Sequence, residues 1–193
     1  MTPAEASPTV WHALRQRIEE ELYSPRQNAY DEELYLPFVE CFLASPLLDD
    51  DDRIRYRFQH ECLLLNRRGT RANDIRLFKG KKKVWLSETV EESQADSVFI
   101  LFFDPQCESC LQTISIMDAD ERLRENVKSG DWAVVAINAG RNSRYLPAMP
   151  REWLILNDKK GETRKAKNYF LRTMPKIYLV DKKMTVLSKN VLF

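Results

Sequence analysis

Cys107 and Cys110, in the run Cys107-Glu108-Ser109-Cys110, are the residues of this chain whose type and spacing best suit chemistry. A pair of cysteines two residues apart can close a small disulfide and reopen it, moving two electrons between sulfur atoms. The nucleophile in such exchange is a thiolate, so one cysteine needs a lowered pKa and the other must resolve the mixed disulfide. Upstream, Val98-Phe99-Ile100-Leu101-Phe102-Phe103 has the unbroken apolar character of a buried strand. Downstream, Leu111 to Lys128 has the spacing of an amphipathic helix, stopped by Ser129-Gly130. Cys107 therefore falls at a strand-to-helix turn, where unpaired amides and the helix dipole favour S⁻. Cys107 is expected to attack, and Cys110, one turn later, to resolve.

The elements that must hold this pair divide into two regions. Residues 10–66 carry helical periodicity throughout. Thr9 can cap a first helix to about Tyr23, with Val10, Leu14, Ile18 and Leu22 on one stripe. A second helix spans about Asp31 to Ala44, with Leu34, Phe38 and Cys41 at helical spacing and Pro37 kinking its first turns. The acidic run Asp49 to Asp52 suits the start of a third, whose expected inner face is Ile54, Phe58, Cys62 and Leu65. Asn66 to Gly69 marks a boundary, giving an all-α domain at 1–68 and a second domain at 69–193.

In the second region, Asp74 to Phe78 and Val84 to Leu86 flank Lys79-Gly80 as a hairpin. Trp132 to Ile137 is another buried strand, Asn138 to Pro150 a loop, Trp153 to Leu156 a short strand, and 160–170 a helix. Ile177 to Val180 and Thr185 to Leu187 form a last hairpin across Asp181-Lys182-Lys183. Strands alternating with helices predict an α/β domain, a central sheet flanked by helices.

Composition excludes several classes. Apolar residues make up 44% and charged residues 31%, as in ordinary globular proteins. No apolar run exceeds that of Val98 to Phe103, which is far too short for a bilayer span or a signal-peptide core. Met1 to Thr9 is short and polar and reads as a flexible leader, so no export signal is expected in the given chain. Residues 1–68 hold 8 Lys/Arg against 13 Asp/Glu, and the excess of base in the remainder is scattered rather than gathered on one face. That pattern speaks for solvated surface and against nucleic acid as a partner. Cys41 and Cys62 lie on expected apolar stripes as buried free thiols, with a disulfide between them as the alternative in an oxidising compartment. His60-Glu61-Cys62 does not have zinc-ligand spacing, so no metal site is expected.

Phe102-Phe103-Asp104-Pro105-Gln106-Cys107-Glu108-Ser109-Cys110, followed far downstream by Thr173-Met174-Pro175, resembles the thioredoxin-like superfamily. Within it the match is to the TlpA/ResA-like branch of bacterial envelope thiol–disulfide oxidoreductases. Glu32-Glu33-Leu34-Tyr35-Leu36-Pro37, Leu43 to Leu48 and Asn66 to Asp74 are similar to an uncharacterised helical domain that precedes such domains in some envelope proteins. The resemblance implies a thioredoxin-like sheet preceded by a small all-α domain. It implies a cis Pro175 facing the dithiol, and a substrate strand held beside Cys107 by Thr173, Met174, Pro175 and Gln106. It implies no cofactor beyond the two sulfurs. The partners would be a protein dithiol or disulfide substrate and a redox partner protein, in the periplasm or cell envelope. Membrane association would require a leader or lipid anchor absent from this chain.

Four departures from the family pattern bear on activity. Gln106 stands where thioredoxin has Trp, and Glu108-Ser109 where it has Gly-Pro. Glu108 is expected to oppose lowering of the Cys107 pKa, which predicts a reductant or weak isomerase rather than a strong oxidant. Leu101 takes the place of a buried acid, so Cys110 lacks an evident base. The chain stops at Phe193, where a further helix is usual. Asp104 stands where a peroxidase would have Thr. The alternative to the enzyme is a non-catalytic binding module of the cell envelope on the same fold.

Overall fold

The structure is a computed structural model that describes residues 7–24, 30–140, 146–165 and 168–193. The chain divides into two compact units, Met1–Leu64 and Leu65–Phe193.

The first unit holds α1 (Pro8–Tyr23), α2 (Glu32–Ala44) and α3 (Asp50–Leu63). Ser7 rather than Thr9 is the first N-cap, with Pro8 opening the helix. Asp31 and Asp49 cap α2 and α3 by accepting backbone N–H bonds. The helix α2 runs on through Pro37. The expected inner faces of these helices are corrected in part, since Ile18, Leu22 and Phe38 do pack against the core. Val10, Leu14, Leu34, Ile54 and Phe58 are exposed, and the core is Trp11, Tyr23, Tyr35, Leu36, Val39, Phe42, Tyr56 and Leu63. Aromatic bodies outweigh the aliphatic stripes because they bury more area, provided their polar ends find partners. Tyr56 donates to Glu19 Oε2 at 2.7 Å, Tyr35 to Gln59 Oε1 at 3.0 Å, and Gln59 Nε2 to Glu19 Oε1 at 3.0 Å. Cys41 lies opposite the packed face of α2 and is exposed, a second correction, whereas Cys62 is buried; neither is in a disulfide.

The second unit is built on one seven-stranded sheet: β1 (Arg76–Lys79), β2 (Lys82–Trp85), β3 (Ser97–Phe103), β4 (Trp132–Asn138), β5 (Leu154–Asn157), β6 (Lys176–Asp181) and β7 (Val186–Lys189), in the order β2-β1-β5-β4-β3-β6-β7. The interior strand β3 pairs with β4 in parallel and with β6 antiparallel. Its side chains alternate between two cores. Val98, Ile100 and Phe102 enter one with Leu77, Leu86, Val90 and Tyr178. Phe99, Leu101 and Phe103 enter the other with Cys110, Ile114, Met117 and Leu123. A strand covered on both faces must be apolar at every position, hence the unbroken run.

Three helices differ from expectation. An unforeseen α4 (Leu86–Ser93) follows β2, and Leu86 and Val90 pin it to the sheet. The predicted single helix after the dithiol is two, α5 (Glu108–Ala119) and α6 (Glu121–Ser129). Asp120, extended at φ −68°, ψ 111°, ends one and caps the other by accepting from Leu123 N at 2.7 Å. The helix expected at 160–170 does not form among the described residues. Asp158 instead gathers Glu162 N–H, Thr163 N–H and the Thr163 hydroxyl at 2.5–2.8 Å, and Gly161 takes φ +68°. That carboxylate supplies the backbone with a turn in competition with helix. Among the described residues no helix is long and apolar enough to cross a membrane.

Candidate active site

The dithiol sits where β3 runs into α5. Asp104 turns the chain: its carbonyl accepts from Cys107 N at 3.0 Å and its Oδ1 accepts from Gln106 N at 3.0 Å. Cys107 is the N-cap of α5, with φ −95° and ψ 115°, and its carbonyl accepts the first helical bonds from Cys110 N and Leu111 N. The turn is clamped from below by Gly140, which lies directly against the Asp104 carboxyl and the Pro105 ring.

The two thiols have opposite surroundings. Cys107 is half-exposed and Cys110 is fully buried in the α5-side core. Partial burial raises the Cys107 pKa, but hydrogen bonds from the Ser109 hydroxyl, the Cys110 thiol and the amides of Cys110 and Ser109 outweigh it and hold the thiol below its ordinary value. Burial pushes Cys110 up to about 12, and the negative charges of Cys107 and Asp104 act in the same direction. One opposing contact, from Asp104 N–H to Cys110 Sγ at 3.4 Å, lowers it. These surroundings favour ionisation of Cys107 over Cys110. Glu108, expected to oppose lowering of the Cys107 pKa, is exposed, and its carboxylate accepts from Gln112 Nε2 at 3.4 Å, one turn along the helix.

The antiparallel register of β3 with β6 brings the downstream segment to this turn. Phe102 faces Lys176, so residues just before β6 lie beside residues just after β3. The Met174 carbonyl oxygen comes within 3.7 Å of Cys107 Sγ and 3.3 Å of Ser109 Oγ. The Met174–Pro175 peptide is cis. Met174 and Pro175 are half-buried, with Met174 packed against both cores, while Thr173 and Gln106 are exposed. Thr173 and Gln106 make no side-chain contact with the thiol among the bonds observed; the Gln106 amide serves the Asp104 turn. Leu101 is fully buried, six residues before Cys107.

Architecture and comparison agree. No known family profile matches the sequence, and no curated protein matches it. Among solved structures, a thioredoxin-like protein from Bacteroides caccae is similar over 97% of this chain and 68% of its own, at 25% identity and a TM-score of 0.88. The chain belongs to the thioredoxin-like superfamily. A candidate thiol:disulfide interchange protein DsbE from Chlorobium tepidum matches 65% of this thioredoxin-like chain and 85% of its own, at 25% identity and a TM-score of 0.51. The C-terminal domain of a candidate thiol-disulfide oxidoreductase from Bacteroides thetaiotaomicron shares the fold, at 22% identity, a TM-score of 0.51, and coverage of 66% of this chain and 89% of that one.

Sequence reasoning missed Ser109, Asp104 and Gly140 as parts of the site. Asp104 carried a signal, since Asp two residues before an amide in a turn commonly accepts its N–H. Gly140 carried none: its role depends on a contact between segments distant in sequence. Among the described residues no three or more His, Cys, Asp or Glu side chains are arranged as metal ligands.

Proposed function

We propose that the protein is a thiol–disulfide oxidoreductase of the TlpA/ResA-like kind that reduces protein disulfides through Cys107 and Cys110. The observation that carries this is the asymmetry of the pair: a half-exposed, low-pKa Cys107 beside a buried Cys110 raised to about 12. Cys107 S⁻ attacks one sulfur of the substrate disulfide; the S–S bond breaks, and the departing substrate thiolate takes a proton from solvent. Cys110 then loses its proton and attacks Cys107 Sγ, releasing the second substrate thiol and leaving the Cys107–Cys110 disulfide. The substrate gains two electrons and the enzyme loses two, to be restored by a dithiol redox partner. Met174, Pro175, Thr173 and Gln106 form the ledge for the substrate chain, with the Met174 carbonyl as acceptor for a backbone N–H. The high Cys110 pKa keeps that thiol protonated in the reduced enzyme, so Cys107 is the nucleophile. We assign the two regions, 1–68 and 69–193, as a helical domain and the redox domain, and place the protein in the periplasm or cell envelope.

The test is trapping with Cys110→Ala. Cell-envelope extract incubated with this variant is expected to yield mixed disulfides through Cys107, released by dithiothreitol. Absence of any adduct, with Cys107 alkylated no faster at pH 7 than free cysteine, refutes the enzyme and leaves the non-catalytic module.

A further inference from the structure

The Ser109 hydroxyl stands between two acceptors. Its Oγ is 3.0 Å from Cys107 Sγ and 3.3 Å from the Met174 carbonyl oxygen. A hydroxyl has one proton, so it donates to one of them at a time. The Cys107 thiol is itself 3.7 Å from the same carbonyl. A carbonyl oxygen has two lone pairs, and Met174 O already faces two side-chain donors. While Cys107 is protonated, a substrate backbone N–H is a third, and one donor must leave. Ser109 is exposed, so its hydroxyl is free to turn.

Resting on the oxidoreductase reading above, we propose that Ser109 is a proton switch: in the free protein its hydroxyl is shared between Cys107 Sγ and Met174 O, and a substrate backbone N–H docking on Met174 O commits it to Cys107 Sγ and so further favours the thiolate. The Cys107 proton passes to solvent water, and no electron moves in this step. The thiolate then attacks the substrate disulfide as described. Ser109 is a positioning residue, since it acts through Cys107. The dependence of the Cys107 pKa on the Ser109 hydroxyl is in line with this geometry. Linkage makes the effect reciprocal: whatever factor docking applies to thiolate formation, thiolate formation applies to docking. The favoured substrate class is an extended peptide segment with a free backbone N–H beside its disulfide. A small disulfide without amides uses the same thiol without the switch.

The experiment compares two disulfides on the full chain carrying Cys110→Ala, at pH 6, with modification of Cys107 followed by peptide mass mapping. One probe is bis(2-hydroxyethyl) disulfide, which has no amide; the other is the disulfide dimer of N-acetyl-alanyl-cysteinyl-alanine amide. Adding Ser109→Ala is expected to slow both reactions, and to lower the peptide-to-small-disulfide rate ratio about fivefold. Ser109→Thr, which keeps the hydroxyl, should restore the ratio. A merely structural role for Ser109 would slow both probes alike. A ratio unchanged by Ser109→Ala, or one that falls equally with Ser109→Thr, overturns the switch while leaving the oxidoreductase standing. If Cys107 exchanges with neither disulfide, the oxidoreductase reading fails and the switch fails with it.

Discussion

Replacing Gly140 with alanine should disturb the dithiol without touching it. A methyl group there would meet Asp104 Oδ1 at 2.6 Å, Asp104 Cγ at 2.8 Å and Pro105 Cδ at 2.9 Å. Comfortable carbon contacts lie near 3.5–4.0 Å, so the turn must move by several tenths of an ångström. The carboxyl cannot rotate away freely, because Oδ1 holds Gln106 N–H. Pro105 is a ring in the chain and moves only with the backbone. Overpacking of this kind costs about 1–3 kcal/mol, and loss of the Gln106 bond about 1 kcal/mol more. For a chain of this size that lowers the melting temperature by about 4–15 °C. The displaced turn carries the Asp104 amide away from Cys110 Sγ and opens the cover over that thiol. The assay is thermal unfolding by circular dichroism, with iodoacetamide labelling of Cys110 at pH 8 followed by mass mapping. Gly140→Ala should melt lower and label faster at Cys110. Adding Asp104→Ala removes two of the three close contacts, so the double variant should be more stable than the sum of the single effects. A Gly140→Ala protein that melts within about 1 °C of the parent, with Cys110 equally unreactive, would refute the clamp.

Three further outcomes follow from the same structure. Alkylation of Cys107 should rise with an apparent pKa below the ordinary thiol value, while Cys110, raised to about 12, stays unlabelled in folded protein at pH 8; equal labelling of the two would contradict the asymmetry. Because the folded pKa of Cys110 exceeds its ordinary 9.0, its stabilising contribution is whole below pH 9 and is lost as pH rises toward 12. Urea midpoints should therefore fall less between pH 8 and 10.5 in Cys110→Ala than in the parent. Asp158→Ala leaves the Glu162 and Thr163 amides and the buried Thr163 hydroxyl without their acceptor. It should cost about 2–4 kcal/mol by urea unfolding, and a loss under about 0.5 kcal/mol would show that the turn holds without it.

The sheet was legible because its signals are local. The apolar run before Cys107 and the Lys79-Gly80 turn each state their structure within a few residues. The break at Asp120 was also locally encoded, since Asp120-Glu121 is an N-cap signature, yet apolar spacing on both sides concealed it. Helix faces in the first unit were misjudged because aliphatic spacing was counted and tyrosine burial was not. Whether Tyr56 can go inside depends on Glu19, 37 residues away, accepting its hydroxyl. The stretch at 160–170 looked helical because the Asp158 carboxylate, which redirects its amides, lies outside the periodic window.

By itself the sequence determined a strand, a two-cysteine turn and a helix start, because chain direction and hydrogen-bond geometry force unpaired amides onto the first cysteine wherever that order occurs. Tertiary structure alone decided which thiol meets solvent, what clamps the turn, and what faces Cys107. Register between β3 and β6 carries the Met174 carbonyl to a sulfur 67 residues upstream, and no local pattern encodes that pairing. Resemblance had named Met174; the packing of two strands is the physical reason it is there.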